Sequence, residues 1–359
     1  MLRILVINPG STSTKVALYE GEVPILNETL RHSAAELASF AHIPDQYAFR
    51  RDCVLSWLKE KGIELSSISA TVGRGGLLRP LASGTYRVNE VMRRELLQPG
   101  EREHASNLGA LIAYDIAAMV NIPAFTVDPV CVDEFDDLAR ISGLPEIERK
   151  SLSHALNIKA VARRAAADLG KSYEELNLII VHLGGGTSVT AHRRGRMVDV
   201  NQALDGTGPF APERAGGLPV GDVIRMCYSG RYTLEEMLKK VAGRGGLVAH
   251  LGTNSSMEVE GRIAQGDQHA SLVYEAMAYQ TAKEIGGMAA VLKGDVDAIV
   301  LTGGVAHSRM LTNWIAERVR FIAPVRIYPG EDEMGALVQG ALRVLNGQEE
   351  AKEYLMSRS

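Results

Sequence analysis

The sequence predicts an α/β protein built from two related domains, and three observations carry that expectation. Residues 178–191 read Leu-Ile-Ile-Val-His-Leu-Gly-Gly-Gly-Thr-Ser-Val-Thr-Ala, a buried strand, a glycine turn and a returning strand. Residues 4–17 read Ile-Leu-Val-Ile-Asn-Pro-Gly-Ser-Thr-Ser-Thr-Lys-Val-Ala, which lies on the later stretch without gaps. Asn8 then falls on His182, Gly10 on Gly184, Ser13 on Thr187, Thr14 on Ser188 and Ala17 on Ala191. Third, a chain of 359 residues exceeds one small core and suits two domains of roughly 150–200 residues each. The repeat implies two turns whose missing Cβ atoms let backbone N–H groups approach phosphates in a cleft between the domains.

Composition narrows the function. An apolar fraction of 46% and a charged fraction of 23% are ordinary for a globular protein. A formal charge of -4 offers no basic footprint for nucleic acid. No apolar run approaches the ~20 residues that span a bilayer, and the run at residues 4–7 is too short for a signal peptide. Cys53, Cys131 and Cys227 are scattered without metal-ligand spacing, which fits free thiols in a reducing cytoplasm.

Along the chain, residues 15–22 complete the first hairpin and residues 25–32 form a third strand. Apolar spacing gives an amphipathic helix over 45–61, closed by Gly62, and a strand over 68–72. That strand runs into Gly73-Arg74-Gly75-Gly76, where the glycines let the backbone close on a ligand with Arg74 pointing inward. Helices follow over 88–97 and 101–120, with His104 and Asn107 in structural or capping roles. The strand 124–127 ends at Asp128, a carboxylate placed where the ligand crevice of an open α/β sheet lies. Residues 145–153 cross between domains, Ser151 or Ser153 caps a helix reaching 169, and His154 lies in its first turn.

Beyond the central hairpin, residues 195–200 form a turn and a strand, and residues 205–209 a sharp polar loop containing Asp205. Residues 213–222, with Arg214, are too rich in glycine for regular structure. Helices are expected over 222–228, 233–241 and 271–292. The strand 298–301 leads into Thr302-Gly303-Gly304-Val305-Ala306, a strand–Gly–Gly–helix arrangement that brings N–H groups onto a nucleotide. After a last strand at 325–328, Glu331-Asp332-Glu333 precedes a helix over 334–345. Those carboxylates suit a helix N-terminus, and also Mg²⁺ taken together with phosphate oxygens.

Six phrases in order resemble the acetate kinase family of the actin-like, sugar-kinase-like ATPase superfamily, most closely its butyrate kinase branch. They begin at Asn8, Gly73, Ser151, His182, Leu301 and Glu331. The resemblance spans nearly the whole chain. It implies two ribonuclease-H-like domains flanking a nucleotide cleft, residues 1–150 with 333–359 and residues 151–332. It also implies reversible in-line transfer from MgATP to a short-chain fatty acid, with ADP as product, by a homodimer or a multiple of dimers. By the same resemblance Asn8 and Glu333 are metal-side residues, Arg74 holds the carboxylate, Asp128 lies near the metal, and His154 and His182 line the cleft. Ser11, Thr12, Lys15, Gly184, Gly185, Gly186, Thr187, Asp205, Gly303, Gly304 and Val305 are the expected nucleotide contacts.

One departure is informative. Acetate kinases carry a second arginine just before a Gly-Asp pair, whereas Pro219 precedes Val220-Gly221-Asp222 here, leaving Arg214 as the nearest substitute. This favours the butyrate branch. An ionised carboxylate needs no general base, only relief of its repulsion with ATP, so an arginine and a histidine donor suit the chemistry. Branched-chain, propionate or acetate kinases, a sugar kinase using Asp128 as base, and a non-enzymatic actin-like ATPase are the competing readings.

Overall fold

The computed structural model describes residues 1–98, 104–204 and 206–355. The chain forms two compact units, Met1–Val132 with Asp332–Ser359, and Asp133–Glu331. Residues 133–150, expected with the N-terminal domain, bond into the second unit. Lys159 pairs with Glu134 at 2.6 Å, the Asp136 N–H donates to Val198 O, and Arg149 donates to Asp199 at 2.8 Å. The chain therefore crosses earlier than its polar stretch at 145–153 suggests.

Among the described residues the first unit builds a seven-stranded sheet. Its strands are β1 (Arg3–Pro9), β2 (Ser13–Glu20), β3 (Val23–Arg31), β4 (Ala70–Gly73), β5 (Thr85–Arg87), β6 (Ala124–Val127) and β12 (Lys352–Glu353), in the order β12-β5-β6-β4-β1-β2-β3. β1, β4 and β6 run parallel, while β1–β2–β3 is an antiparallel meander. The second unit repeats this with β7 (Asn177–Leu183), β8 (Thr187–Arg193), β9 (Arg196–Val200), β10 (Ala298–Gly303) and β11 (Val325–Pro329), ordered β11-β10-β7-β8-β9. β7, β10 and β11 are parallel and β7–β8–β9 is again the meander. Five strands of the first sheet, β6-β4-β1-β2-β3, thus repeat the order and direction of β11-β10-β7-β8-β9, the duplication the hairpins announce, while β5 and β12 extend the first sheet alone.

Burial explains why β7 is apolar throughout. Ile179, Val181 and Leu183 enter the core that includes Tyr274, Met277 and Ile285 of the helix Gln268–Val291. Leu178 and Ile180 enter a different core with Ile158, Ala162 and Ala165 of the helix Ala155–Asp168. Alternate residues therefore face opposite covered sides, each fully buried one contributing about 1.5–3 kcal/mol. In the first unit the helices Asn107–Met119 and Glu333–Leu345 both pack on β1, β4 and β6. Close packing of the latter needs a glycine, since a Cβ on Gly340 would lie 2.4 Å from Val127.

The gap-free overlay of the two hairpins fails by one residue. β1 pairs Asn8 with Lys15 and Pro9 with Thr14, whereas β7 pairs His182 with Ser188 and Leu183 with Thr187. With Asn8 on His182, the partner of Lys15 is Ser188 and that of Thr14 is Thr187. The second turn is one residue shorter, and on a strand a slip of one residue exchanges the two faces.

Other boundaries shift modestly. The 45–61 helix is Tyr47–Glu60, and the 101–120 helix is Asn107–Met119, with residues 101–103 outside the described residues. His104 precedes that helix, where its Nδ1 lies 2.7 Å from Ser106 Oγ. His154, not Ser151 or Ser153, occupies the N-cap of Ala155–Asp168, and no side chain caps it. The strands β5 and β12 and the helices Gly246–Leu251 and Ser256–Ala264 are short elements the apolar pattern did not reveal.

Candidate active site

In the first unit three parallel strands end on the same side of the sheet, and each carries a sequence-predicted site residue at or just beyond its end. Asn8 sits near the end of β1, Arg74 follows β4 and Asp128 follows β6. The Arg74 N–H donates to Ile7 O at 2.9 Å, which extends the β1–β4 pairing by one residue and fixes where Arg74 departs. Glu333, first residue of its helix, meets two of these groups. Asn8 Nδ2 donates to Glu333 Oε2 at 2.8 Å, Arg74 Nη1 donates to the same oxygen at 2.9 Å, and Arg74 Nη2 lies 2.8 Å from Oε1. The guanidinium fork thus holds a carboxylate in two-point fashion.

Asp128 is 1% exposed and held by Gly84, whose N–H donates to Oδ1 at 2.7 Å while the Asp128 N–H donates to Gly84 O. Its φ is +38°, a conformation costing about 1–3 kcal/mol in a residue with a Cβ. Lys15 is exposed on β2, and Ser11 and Thr12 are exposed at the first turn. Neither the Ser11 nor the Thr12 backbone N–H donates to any described residue.

The glycines around Arg74 serve packing rather than ligand approach. A Cβ on Gly73 would lie 2.1 Å from Gly109 O, on Gly75 2.6 Å from Thr126 Oγ1, and on Gly76 2.0 Å from Asn107 Oδ1. Asn107 Oδ1 accepts the Leu77 N–H at 2.9 Å, tying the loop to the helix Asn107–Met119. Arg74 is oriented because its loop lies flat against that helix.

The second unit assembles its own set. The rings of His154 and His182 stack with centroids 3.9 Å apart and planes 8° from parallel. His154 Nδ1 lies 3.0 Å from Ser188 Oγ. Asn157 Nδ2 donates to His182 Nδ1 at 2.9 Å, which in the neutral ring leaves the proton on Nε2. Nε2 faces the glycine turn, 3.0 Å from where a Cβ of Gly184 would stand, and lies 3.5 Å from Glu331 Oε2. Arg214 packs its Cγ against Gly186, and its buried Nε has no partner. Gly303, at φ +91°, must be glycine, because a Cβ would lie 2.3 Å from Leu183 O. Gly304 and Val305 begin the 3₁₀ turn Gly304–His307 directly after it, and Thr187 is buried at the start of β8. Asp205 lies outside the described residues.

Asn157, which the sequence did not single out, belongs beside these sets, together with two members of the acidic trio, Glu331 and Asp332. Asn157 sets the His182 tautomer, Glu331 sits opposite His182 Nε2, and Asp332 takes the capping role by accepting the Gly335 N–H at 2.8 Å. The acidic trio thus divides its work, Glu333 alone reaching Asn8 and Arg74. A polar residue one turn into a helix carries no signal for Asn157, though its three-residue spacing from His154 places both near one face.

Residues 147–322 match the model of the acetokinase family. Butyrate kinase 2 of Clostridium acetobutylicum is 55% identical over 352 residues, 98% of this chain and 99% of that protein. Butyrate kinase 1 of the same organism is 55% identical over 354 residues, 99% of this chain and all of its own length. Among solved structures, the acetate kinase of Porphyromonas gingivalis superposes with a TM-score of 0.76 at 18% identity, covering 96% of this chain and 100% of that one. That likeness establishes a shared two-domain actin-like ATPase fold. Matching residues over nearly its entire length, in a fold common to the wider group, this chain belongs to the butyrate kinases of the acetokinase family.

Proposed function

We propose that the protein catalyses butanoate + ATP ⇌ butanoyl phosphate + ADP by direct in-line transfer. The observation that carries this reading is the grip of Arg74 on a carboxylate, that of Glu333, at 2.9 and 2.8 Å. The fork is built for a planar two-oxygen anion, and the carboxylate of a short fatty acid competes for the same donors. A carboxylate oxygen then attacks the γ-phosphorus, the bond to the β–γ bridging oxygen breaks, and ADP leaves with that oxygen's electrons. No proton has to be removed from the acid at neutral pH. An alcohol acceptor would need a base, and Asp128, the one carboxylate offered for that role, is 1% exposed and gives its Oδ1 to the Gly84 N–H.

The residues fit a nucleotide. Anion donors are supplied by the free N–H groups of Ser11 and Thr12 in the first unit. Arg214 stands in for the second family arginine, since Pro219 is spent as the N-cap of the helix Val220–Cys227. Lys15, Thr187, Gly184–Gly186 and Gly303–Val305 are assigned to the nucleotide as well, and Asp205 by resemblance alone. His182 donates from Nε2 to the transferring group as charge spreads over its oxygens, and His154, stacked on it, holds the ring.

Mg²⁺ fits the donor set of the first unit. Glu333 offers carboxylate oxygens and Asn8, whose amide nitrogen is used, offers Oδ1, while Asp128 lies at the same strand edge. Mg²⁺ takes few protein oxygens and keeps water and phosphate oxygens, so a small set of this kind suffices. When bound, the ion neutralises phosphate charge.

The protein works in the cytoplasm as a homodimer or a multiple of dimers, needing neither nucleic acid nor membrane. Cys53, Cys131 and Cys227 form no disulfide, and no described helix is long and apolar enough to cross a membrane. The test is a panel of straight and branched acids with MgATP, trapping acyl phosphate as hydroxamate. Butanoate should give the highest kcat/KM, ahead of acetate, propionate, isobutyrate and isovalerate, and Arg74→Ala should lower kcat by about 10²–10⁴-fold. Absence of hydroxamate from every acid, or ATP hydrolysis unaffected by acid, would refute the reaction.

A further inference from the structure

We propose that Arg50, a residue outside the assigned site, is the positioning residue that makes the turn at residues 10–13 a phosphate cradle. The inference rests on the reading of that turn as a nucleotide contact and adds the device that gives it its polarity. Arg50 projects from the helix Tyr47–Glu60 and is 0% exposed. All five of its N–H groups are used. Nη1 donates to Gly10 O at 2.7 Å, Ser13 O at 3.0 Å and Thr14 Oγ1 at 3.3 Å, and Nη2 donates to Ser11 O at 2.9 Å. Nε and Nη2 both donate to Gln46 Oε1, at 3.1 and 2.8 Å, which sets the plane of the fork.

These bonds decide which way the turn faces. The remaining carbonyl, Thr12 O, accepts the His32 N–H, and Ser13 O also accepts the Gly10 N–H. Every carbonyl from residue 10 to 13 is therefore drawn inward, while the N–H groups of Ser11 and Thr12 are left outward and free. A turn so arranged presents backbone donors and no free carbonyl, the requirement for an anion cradle.

Charge points the same way. Arg50 forms no ion pair with any carboxylate among the described residues, so a whole positive charge sits beneath the turn balanced only by carbonyl dipoles. Burying such a charge without a counter-ion is costly, and an anion held at the outer face returns part of that cost. Burial and the Arg50 charge together depress the pKa of neighbouring His32, whose Nε2 lies 2.9 Å from Thr14 Oγ1. His32 therefore stays neutral at pH 7 and adds no second charge. Lysine would keep the charge but lose the planar fork that gathers several carbonyls at once.

The experiment compares wild type with Arg50→Lys and Arg50→Gln, measuring the Kd for MgADP by calorimetry and the KM values for MgATP and butanoate. The Kd and KM for the nucleotide should rise by about 10- to 100-fold in Arg50→Gln and less in Arg50→Lys, with the butanoate KM within about twofold. A folded variant with a lowered Tm but unchanged nucleotide Kd, or with a butanoate KM raised as much as that for MgATP, overturns the proposal. If both variants fail to fold, Gln46→Met removes only the acceptor that sets the fork and should weaken MgADP in the same direction. Amide exchange on the wild type gives an independent reading, since Ser11 and Thr12 should gain protection when MgADP binds, and no gain counts against the cradle. Wild-type protein that binds MgADP but phosphorylates no acid would refute the assigned reaction while leaving the Arg50 comparison readable.

Discussion

At the residue scale, a hydrogen bond from Asn157 decides what His182 can do. A neutral imidazole donates from one nitrogen, and only a donor at Nδ1 keeps the proton on Nε2, which faces the glycine turn. Asn157→Leu removes that donor with little change in volume. The expected result is a kcat lower by about 10- to 100-fold with both KM values nearly unchanged, the scale typical of a side chain that orients a functional histidine. Asn157→Asp reverses the hydrogen bond, so Nδ1 becomes the donor and Nε2 carries a proton only when the ring is charged. Its kcat should fall by at least as much, and a kcat near that of wild type in both variants would show that Asn157 merely packs. Arg74, Asn8 and Glu333 were legible because short motifs surround them. Asn157 and Arg50 were not, because a polar residue on an amphipathic helix reads as solvated until a partner distant in sequence is known. Arg50 meets its carbonyl partners about forty residues away, at Gly10, Ser11 and Ser13.

At the element scale, the duplicated hairpins show why pattern carries a fold further than it carries register. Apolar runs and glycine turns identified β1, β2, β7 and β8, since burial dictates both. The length of a turn leaves no such mark, so a gap-free overlay set Thr14 on Ser188, where the pairings set it on Thr187. The loop around Arg74 teaches a related point. Glycine permits close approach, but the sequence does not say of what, and here the approach is to Gly109 and Asn107 rather than to a ligand. The helix Val220–Cys227 offers an expectation of its own. It buries none of its side chains, yet Val220, Ile224 and Tyr228 follow one another at four-residue intervals and are 74%, 54% and 89% exposed. Four-residue spacing puts them along one stripe of the helix and its end, the face on which the proposed dimer would bury apolar area. Ile224→Glu should therefore shift the sedimentation of the protein to a smaller species. A single species of monomer mass in both wild type and variant would remove this stripe, and the dimer with it.

At the scale of the whole molecule, each unit hides a histidine whose pKa burial depresses, and acid should begin to destabilise the protein before its paired carboxylates titrate. His32 of the first unit is lowered by burial and by the Arg50 charge. His192 of the second unit is fully buried between Tyr173 Oη and Thr190 Oγ1, and burial, then Lys159, drives its pKa far below the ordinary value of 6.5. In the unfolded chain both rings take up a proton near pH 6.5, while in the folded chain they do not. Between that pH and the depressed folded values the unfolded state binds more protons, so stability falls as pH falls, by up to about 1.4 kcal/mol per pH unit for each ring. The carboxylates of Glu28, Glu36, Glu90, Glu175 and Asp267 have lowered pKa values, so the stability they add is lost only below about pH 4.5. Glu284, raised by burial, works against the histidines near the acid end of the interval. His104, lowered by burial and by Arg74, is a second such ring in the first unit. Scanning calorimetry at pH 7.5, 6.5 and 5.5 should therefore show a falling Tm, steeper in the lower step, and because each unit holds at least one such histidine the fall should affect every transition observed. A Tm as high at pH 5.5 as at 7.5 would mean that these rings gain protons without unfolding, and that a cation beside each is tolerated.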